Sequence, residues 1–309
     1  MNIGMIWRLL NVTFSQWRRD QASSMAAALA YYTIFSLAPL LIIVIAIAGS
    51  IFGEQAAKGE LVMQIQGVIG KDGAQFIQTA IENASKLDPS QGPIPTLINI
   101  GFLLSGATVV FGQLQNSLNR IWEVQPKPGN GIKHFFRKRL LSFSMVLVIA
   151  FLLLVSLVIS TMLTILGNYL RDLVPGFTYM WQVLNFFISF GIVTLLFAMV
   201  FKILPDAKIA WKDVWIGAAI TAVLFDIGKS LLGFYLGHTS FASAYGAAGS
   251  LVIILTWVFY SAQILFLGAE FTQVYVRNYS KEIVPADYAM RVTQNGESEG
   301  ASCGKGEAG

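Results

Sequence analysis

Three charged side chains lie inside stretches of sequence that are otherwise apolar enough to cross a membrane. They are Asp226, Lys229 and Glu270. A charge at the centre of a bilayer costs roughly 2.5–3.5 kcal/mol on insertion scales, so such a residue usually faces a partner, a cavity or a pathway. The three residues are therefore the first candidates for a site that binds a proton, an ion or an anionic headgroup.

Asp226 and Lys229 are three residues apart, which places both on one face of a helix where they can pair. With the outer end of the helix near Leu236, Asp226 lies about 15 Å deep and Lys229 about 10 Å deep, at 1.5 Å per residue. Two interpretations stay open. One is a neutralised pair that orders helix packing, and the other is a polar cavity that receives a headgroup, an ion or a proton.

Glu270 lies about 30 Å from the outer face of its predicted helix, near the cytoplasmic boundary. Arg120 has a similar predicted depth, which suggests a Glu270–Arg120 pair. The alternative is a carboxylate hydrated by headgroup water. Four amides precede Arg120 closely, and they either bond across helices at about 0.6–2 kcal/mol each or line a polar vestibule. These amides are Gln113, Gln115, Asn116 and Asn119.

Pro39 lies in the middle of the first apolar stretch. Proline removes one intrahelical hydrogen bond, so the sequence predicts a helix kink at this position. Tyr31 and Tyr32 lie just before it and are candidates to line a substrate pathway. The structural alternative is a kink that only shapes the helix.

The elements that must position these residues follow from composition. Hydrophobic residues make up 55% of the 309-residue chain and charged residues 12%, against about 25% charged residues in soluble domains. Apolar runs of about 20 residues suit spanning helices, and lipid requires every backbone group to be paired internally. The sequence predicts an all-α, polytopic bundle of six transmembrane helices: Met25–Phe52, Pro95–Leu118, Leu140–Leu166, Trp181–Leu204, Trp211–Leu236 and Ala248–Val276.

Lysine and arginine are concentrated in four segments: the N-terminus, the second and fourth connections, and the tail. The positive-inside rule therefore predicts that both termini are cytoplasmic. This asymmetry explains the net charge of +4, so nucleic acid is not an expected partner.

Three regions are predicted along the chain. Residues 1–24 form a cytoplasmic amphipathic helix that lies at the membrane interface or, alternatively, packs on the bundle. Residues 25–276 form the six-helix domain and include an outside amphipathic segment, 53–94, with a break at Gly70–Gly73. Residues 277–309 form a cytoplasmic tail that is polar and disordered from about residue 294.

Catalytic motifs are missing from the sequence. It contains no HExxH, GxSxG or Walker loop, and its two histidines, His134 and His238, are predicted on opposite sides of the membrane. The single cysteine, Cys303, excludes an intrachain disulfide and suggests no metal site. The sequence therefore predicts no enzyme, no metal and no cofactor.

Several ordered motifs resemble the YihY/virulence factor BrkB family, over about residues 5–280. They are Met25–Leu40, Leu118–Trp122, Leu204–Pro205 followed by Trp211, Tyr245–Ser250 and Leu267–Glu270. Ala248 stands where the family commonly has leucine. The resemblance implies a multi-pass protein of the bacterial inner membrane with six spans, linked to envelope integrity, serum resistance and lipopolysaccharide or lipid export. The family's ribonuclease BN label is not transferred, because nothing in the chain offers a recognisable mechanism for cutting RNA.

The expected function is that of an envelope-associated transporter or flippase-like protein for a lipid or another amphiphile. In this scheme Asp226 and Lys229 bind or gate, and Glu270 with Arg120 closes the cytoplasmic end. The alternative is a non-transporting scaffold for envelope assembly that docks through segment 53–94. The expected partners are membrane lipids, an amphiphilic or anionic substrate, and either a second copy of the chain or an envelope protein.

Overall fold

The computed structural model describes residues 3–85, 109–127, 140, 177–238, 248–279 and 283–292. These residues form long helices and two small antiparallel sheets. The helices are α1 (Ile3–Arg19), α2 (Ala22–Phe52), α3 (Glu54–Ser85), α4 (residues 109–121), α5 (Phe177–Ile203), α6 (Trp211–His238) and α7 (Gly249–Tyr279). The strands are β1 (Val124–Pro126), β2 (Ala207–Lys208), β3 (Val284–Pro285) and β4 (Ala289–Arg291).

Three described helices are long and apolar enough to cross a membrane. The spanning stretches are Phe186–Ile203 in α5, Trp211–Tyr235 in α6 and Gly249–Tyr279 in α7. They match the predicted fourth, fifth and sixth spans, and the all-α membrane class is confirmed. The second predicted span is described only from residue 109, and nearly all of the third lies outside the described residues. The count of six and the orientation of the termini therefore stay predictions.

Two predicted helix irregularities have different outcomes. Helix α2 continues through Pro39 to Phe52 without a break in its helical assignment, so the kink at Pro39 stays a prediction. Helix α3 is interrupted at Gly70, where φ is 81° and ψ is 176°. A positive φ favours glycine because it lacks a Cβ. The predicted break in the segment after α2 is therefore present.

Helices α6 and α7 cross closely through a reciprocal arrangement of glycine and threonine. Thr221 Oγ1 donates to the Gly217 carbonyl at 2.7 Å, and Thr272 Oγ1 donates to the Gly268 carbonyl at 2.7 Å. A Cβ on Gly217 would overlap the Thr272 side chain, and a Cβ on Gly268 would overlap Thr221. Small residues at a crossing allow close backbone approach. This crossing fixes α7 on both sides of Glu270.

Helix α3 covers one end of the bundle. Its buried residues Leu61, Ile77 and Ile81 join a cluster with Leu232 of α6 and Ile254 of α7. The apolar face of the predicted outside segment therefore packs on the helices rather than projecting from them. Its residues 86–94 lie outside the described part.

The described parts of the four basic segments meet at the other end of the bundle, which we call the basic end. Strand β1 pairs with β4, with Val124 opposite Arg291. Strand β2 pairs with β3, with Ala207 opposite Pro285. These sheets tie the second and fourth connections to the chain after α7. Residues 293–309, which include the predicted disordered tail, lie outside the description.

Candidate functional site

The turn between α1 and α2 brings a carboxyl group to α7. Helix α1 ends at Arg19, Asp20 follows, and Gln21 takes a left-handed conformation with φ 56°. The Asp20 carboxyl lies within hydrogen-bonding contact of the Glu270 carboxyl. The site therefore begins as a pair of acids contributed by two distant parts of the chain.

Glu270 is completely buried, at 0% exposure. Neither of its carboxylate oxygens has a hydrogen-bond donor among the described residues. An ionised carboxylate without a donor is costly to bury. The contact with Asp20 is compatible with this burial when one proton lies between the two groups, because a protonated carboxyl donates to an ionised one.

The environment of Asp20 favours its protonated form. Burial raises the pKa of the Asp20 carboxyl above its usual range, and the positive charge of Arg19, the contact with Glu270 and the positive charge of Arg120 oppose this effect. Burial disfavours the charged form of a carboxyl, whereas a nearby cation favours it. Burial is the larger influence here.

A cavity of about 380 Å³ opens beside this pair at the basic end. Guanidinium and amide groups supply most of its hydrogen-bond donors, a set that suits phosphate or carboxylate oxygens. Glu270 is not in contact with the cavity, and Asp20 lies between the two. The lining residues are Arg19, Asp20, Asn116, Asn119, Arg120, Glu123, Val124, Gln125, Pro126 and Val292.

Glu123 joins three segments at the mouth of this cavity. Its carboxylate accepts hydrogen bonds from Arg277 at 2.8 and 3.4 Å and lies 3.8 Å from Arg19. Its own backbone is left-handed, with φ 53°, and its carbonyl accepts from the Val292 N–H at 2.9 Å. Glu123 thus links the ends of α1, α4 and α7 with the chain beyond β4.

A second buried carboxylate, Asp206, is held by the amides of α4. Asp206 is 1% exposed. It accepts hydrogen bonds from Gln115 Nε2 at 3.2 Å and from Asn119 Nδ2 at 2.8 Å. Its backbone N–H donates to Asn119 Oδ1 at 2.8 Å. Gln115 and Asn119 therefore pack α4 against the segment after α5.

The predicted Glu270–Arg120 pair is not formed. No ion pair joins Arg120 to Glu270 in the described part of the chain; Arg120 lines the cavity with an exposed side chain. The physical reason is that the turn after α1 places Asp20 against Glu270. The predicted membrane depths of Arg120 and Glu270 are similar, but a depth does not show which other residue lies between the two.

Asp226 and Lys229 are partly buried on α6, and no ion pair joins the two among the described residues. The predicted pairing across one helical turn is therefore absent.

The remaining candidates separate into one cavity residue and three others. Asn116 lines the cavity. Gln113 is partly buried on α4 and is not among the cavity residues. Tyr31 and Tyr32 are exposed on α2, where the Tyr31 ring lies 4.9 Å from the Phe35 ring. From the predicted set, the structure thus brings Arg120 and Asn116 together at the cavity, while Glu270 lies behind Asp20.

Sequence reasoning did not single out Asp20 or Asp206. Asp20 follows Arg18 and Arg19 directly and so lies in a basic flanking segment. Asp206 follows the Leu204–Pro205 motif in the connection after the fourth predicted span. The sequence signal that could have found them is the position of each acid next to a predicted span, Asp20 before the first and Asp206 after the fourth. Within the described residues, no group of three His, Cys, Asp or Glu side chains is placed to hold a metal ion.

The family model for the virulence factor BrkB matches residues 13–292 of the chain. The UPF0761 membrane protein of Acinetobacter baylyi is 25% identical over 273 residues, which cover 87% of this chain and 62% of that protein. The chain therefore spans less than two thirds of the length of that relative.

Other relatives are matched over more of their length. The UPF0761 membrane protein of Pseudoalteromonas translucida is 26% identical, with 82% of this chain and 81% of that protein covered. The one from Psychromonas ingrahamii is 28% identical, with 88% and 92% covered. No solved structure matches the chain significantly.

Proposed function

We propose that this chain, which belongs to the virulence factor BrkB family of membrane proteins, is a transporter or flippase-like protein that moves a lipid or another amphiphile. The observation that carries the proposal is the cavity at the basic end, with Arg19 and Arg120 in its lining. Guanidinium groups bind phosphate and carboxylate oxygens with paired hydrogen bonds. The substrate class we propose is an amphiphile with an anionic headgroup.

The surface next to the cavity supports an amphiphilic substrate. Helix α1 packs on α7 through Leu9 but leaves Trp7 67% exposed and Phe14 53% exposed. A helix with arginines and an exposed apolar face suits the boundary between headgroups and acyl chains. An amphiphile in that leaflet would have its headgroup at the level of the cavity.

The distribution of charge indicates on which side of the membrane the basic end lies. Lysine and arginine are concentrated in the segments that form the basic end, so we place that end in the cytoplasm and the protein in the bacterial inner membrane. Glu123, through Arg277 and Arg19, would hold the cavity at its present width. Release of these contacts would widen it.

Lipid transfer in reconstituted vesicles tests this proposal. Purified protein is placed in vesicles with fluorescent anionic or zwitterionic phospholipid, and the exchange of label between leaflets is measured. Arg19→Ala with Arg120→Ala should slow transfer of the anionic lipid about tenfold or more, because each charge-assisted hydrogen bond contributes about 1.5–3 kcal/mol.

The matched control is Lys212→Ala. Lys212 is a basic, exposed residue at the start of α6 that does not line the cavity, so its loss should leave the rate unchanged. A folded wild-type protein that moves neither lipid would contradict the proposal. Equal transfer rates in the double variant and the control would show that transport does not depend on the arginines of this cavity.

A scaffold function is the second candidate, and one observation favours it. Helix α3 covers the opposite end of the bundle while Met63 on its outer surface is 63% exposed. A helix that covers the end of the bundle and has an accessible side chain at this position is open to contact with another protein. Site-specific cross-linking from position 63 in cells should then trap one discrete protein, whereas transport alone predicts no such adduct.

A further inference from the structure

We infer that Asp20 and Glu270 form a proton-binding site in which two carboxyl groups hold one proton between them. The inference goes beyond the proposed transport, because it depends only on the geometry of the pair and holds whether or not an amphiphile moves. Where transport operates, this proton is available for coupling to it.

The burial of Glu270 is the first reason to place a proton on the pair. Its side chain is 0% exposed and both its oxygens lack a donor in the described residues, while the Asp20 carboxyl lies in hydrogen-bonding contact. Two ionised carboxylates in contact repel each other, so one of them takes up a proton. Such a pair titrates as a unit.

The balance of charges around the pair is the second reason to place a proton there. Arg19 on α1 and Arg120 at the end of α4 face Asp20. Arg277 lies two turns further along α7, where it donates to Glu123 at 2.8 Å. Arg19 also lies 3.8 Å from the Glu123 carboxylate. Because Glu123 attracts Arg19 and Arg277 and adds a negative charge of its own, Arg120 and the shared proton are left to balance the acid pair.

Asp20 gives the pair access to water. It lines the cavity, whereas Glu270 does not. Protons therefore reach Asp20 from the cavity and pass to Glu270 behind it. The raised pKa of Asp20, caused by burial, is in accord with an acid that keeps its proton more readily than an exposed aspartate.

The position of the pair links protonation to helix packing. Asp20 belongs to the turn between α1 and α2, and Glu270 lies within the Gly268–Thr272 stretch that crosses α6. Loss of the shared proton leaves two negative charges in contact. Their repulsion pushes the turn away from α7 at the edge of the cavity.

Infrared spectroscopy of the full chain in lipid nanodiscs tests the site without any substrate. The spectrum is recorded while pH is varied, and the C=O stretching band of a protonated carboxyl is followed where exposed carboxylates are ionised. The wild type should show this band. Glu270→Gln should remove it, and Asp20→Asn should change both its frequency and its titration midpoint.

Two controls keep the result decisive. Glu82→Gln removes an exposed carboxylate on α3 and should leave the band intact. Labelling glutamate with ¹³C in the wild-type protein should shift a band that belongs to Glu270, which requires no variant to fold.

Three results would overturn the inference. They are absence of the band in the wild type, persistence of the band in Glu270→Gln, and an unchanged frequency and midpoint in Asp20→Asn. Because the infrared experiment measures no lipid transfer, its result tests the proton site even if the transport proposal fails.

Discussion

Asp226 and Lys229 share one helix and remain partly exposed, whereas Glu270 is fully enclosed and is met by a residue from a different element. At the basic end the chain returns four times, through the turn after α1, the end of α4, the segment after α5 and the strands after α7. On α6 no such convergence accompanies the two charges in the described residues. Suitable spacing within one helix is therefore a weaker sign of a site than charges delivered by several elements.

The largest effect should come from removing the buried aspartate of the basic end. Asp206→Ala leaves the Gln115 and Asn119 amides without their acceptor. An unsatisfied buried polar group costs about 1–3 kcal/mol, so the free energy of unfolding should fall by about 3 kcal/mol. Thermal unfolding in detergent measures this change.

Asp287→Ala is the control for that variant. Asp287 pairs with Lys208 at 2.5 Å but its side chain is 87% exposed, and exposed ion pairs contribute about 0–1 kcal/mol. Equal losses in the two variants would show that the amide network does not hold the end together.

A smaller loss is expected at the helix crossing that positions Glu270. In Gly268→Val the added side chain would overlap Thr221, and overpacking of this kind costs about 1–3 kcal/mol. Gly233→Val is the matched control, because a Cβ there meets nothing within 4 Å. If both variants unfolded at the same temperature, the close crossing of α6 and α7 would be refuted.

The pH dependence of stability should distinguish the acid pair from an ordinary surface carboxylate. The raised pKa of Asp20 means that the folded protein binds this proton more tightly than the unfolded chain does. The resulting stability is fully present below the usual aspartate pKa of about 4 and is lost as pH rises through the raised value.

Asp20→Asn should therefore flatten the fall in melting temperature over that pH range. Glu82→Gln should retain the wild-type slope, since Glu82 is exposed. A wild-type melting temperature that rises with pH across the same range would have the wrong sign for a buried acid.

The smallest effect is expected on α6. Asp226→Asn and Lys229→Met remove charges that form no ion pair with each other in the described residues. Substitutions away from buried networks usually change stability by less than about 0.5 kcal/mol. A loss comparable with that of Asp206→Ala would place a buried network on α6 and reverse the comparison.

The sequence was sufficient for the helical membrane class, because long apolar runs leave few alternatives in lipid. It also located the break at Gly70 and drew attention to Glu270 and Arg120. It did not supply the partner of Glu270, since the φ of 56° at Gln21 directs Asp20 to α7 and no local pattern encodes that contact. For the amides of α4 the sequence left packing and a polar vestibule both open, because the acceptor of their hydrogen bonds, Asp206, lies 87 residues from Asn119 in the chain.

The most direct test of this account compares the two regions in one lipid-transfer experiment. Vesicles carry the Arg19→Ala and Arg120→Ala double variant, the Asp226→Asn and Lys229→Met double variant, or wild type, at equal amounts of folded protein. We expect transfer of the anionic lipid to fall about tenfold or more in the first variant, a change of about 1.4 kcal/mol or more, and to stay near the wild-type rate in the second. The opposite order would contradict the assignment of the functional site to the basic end.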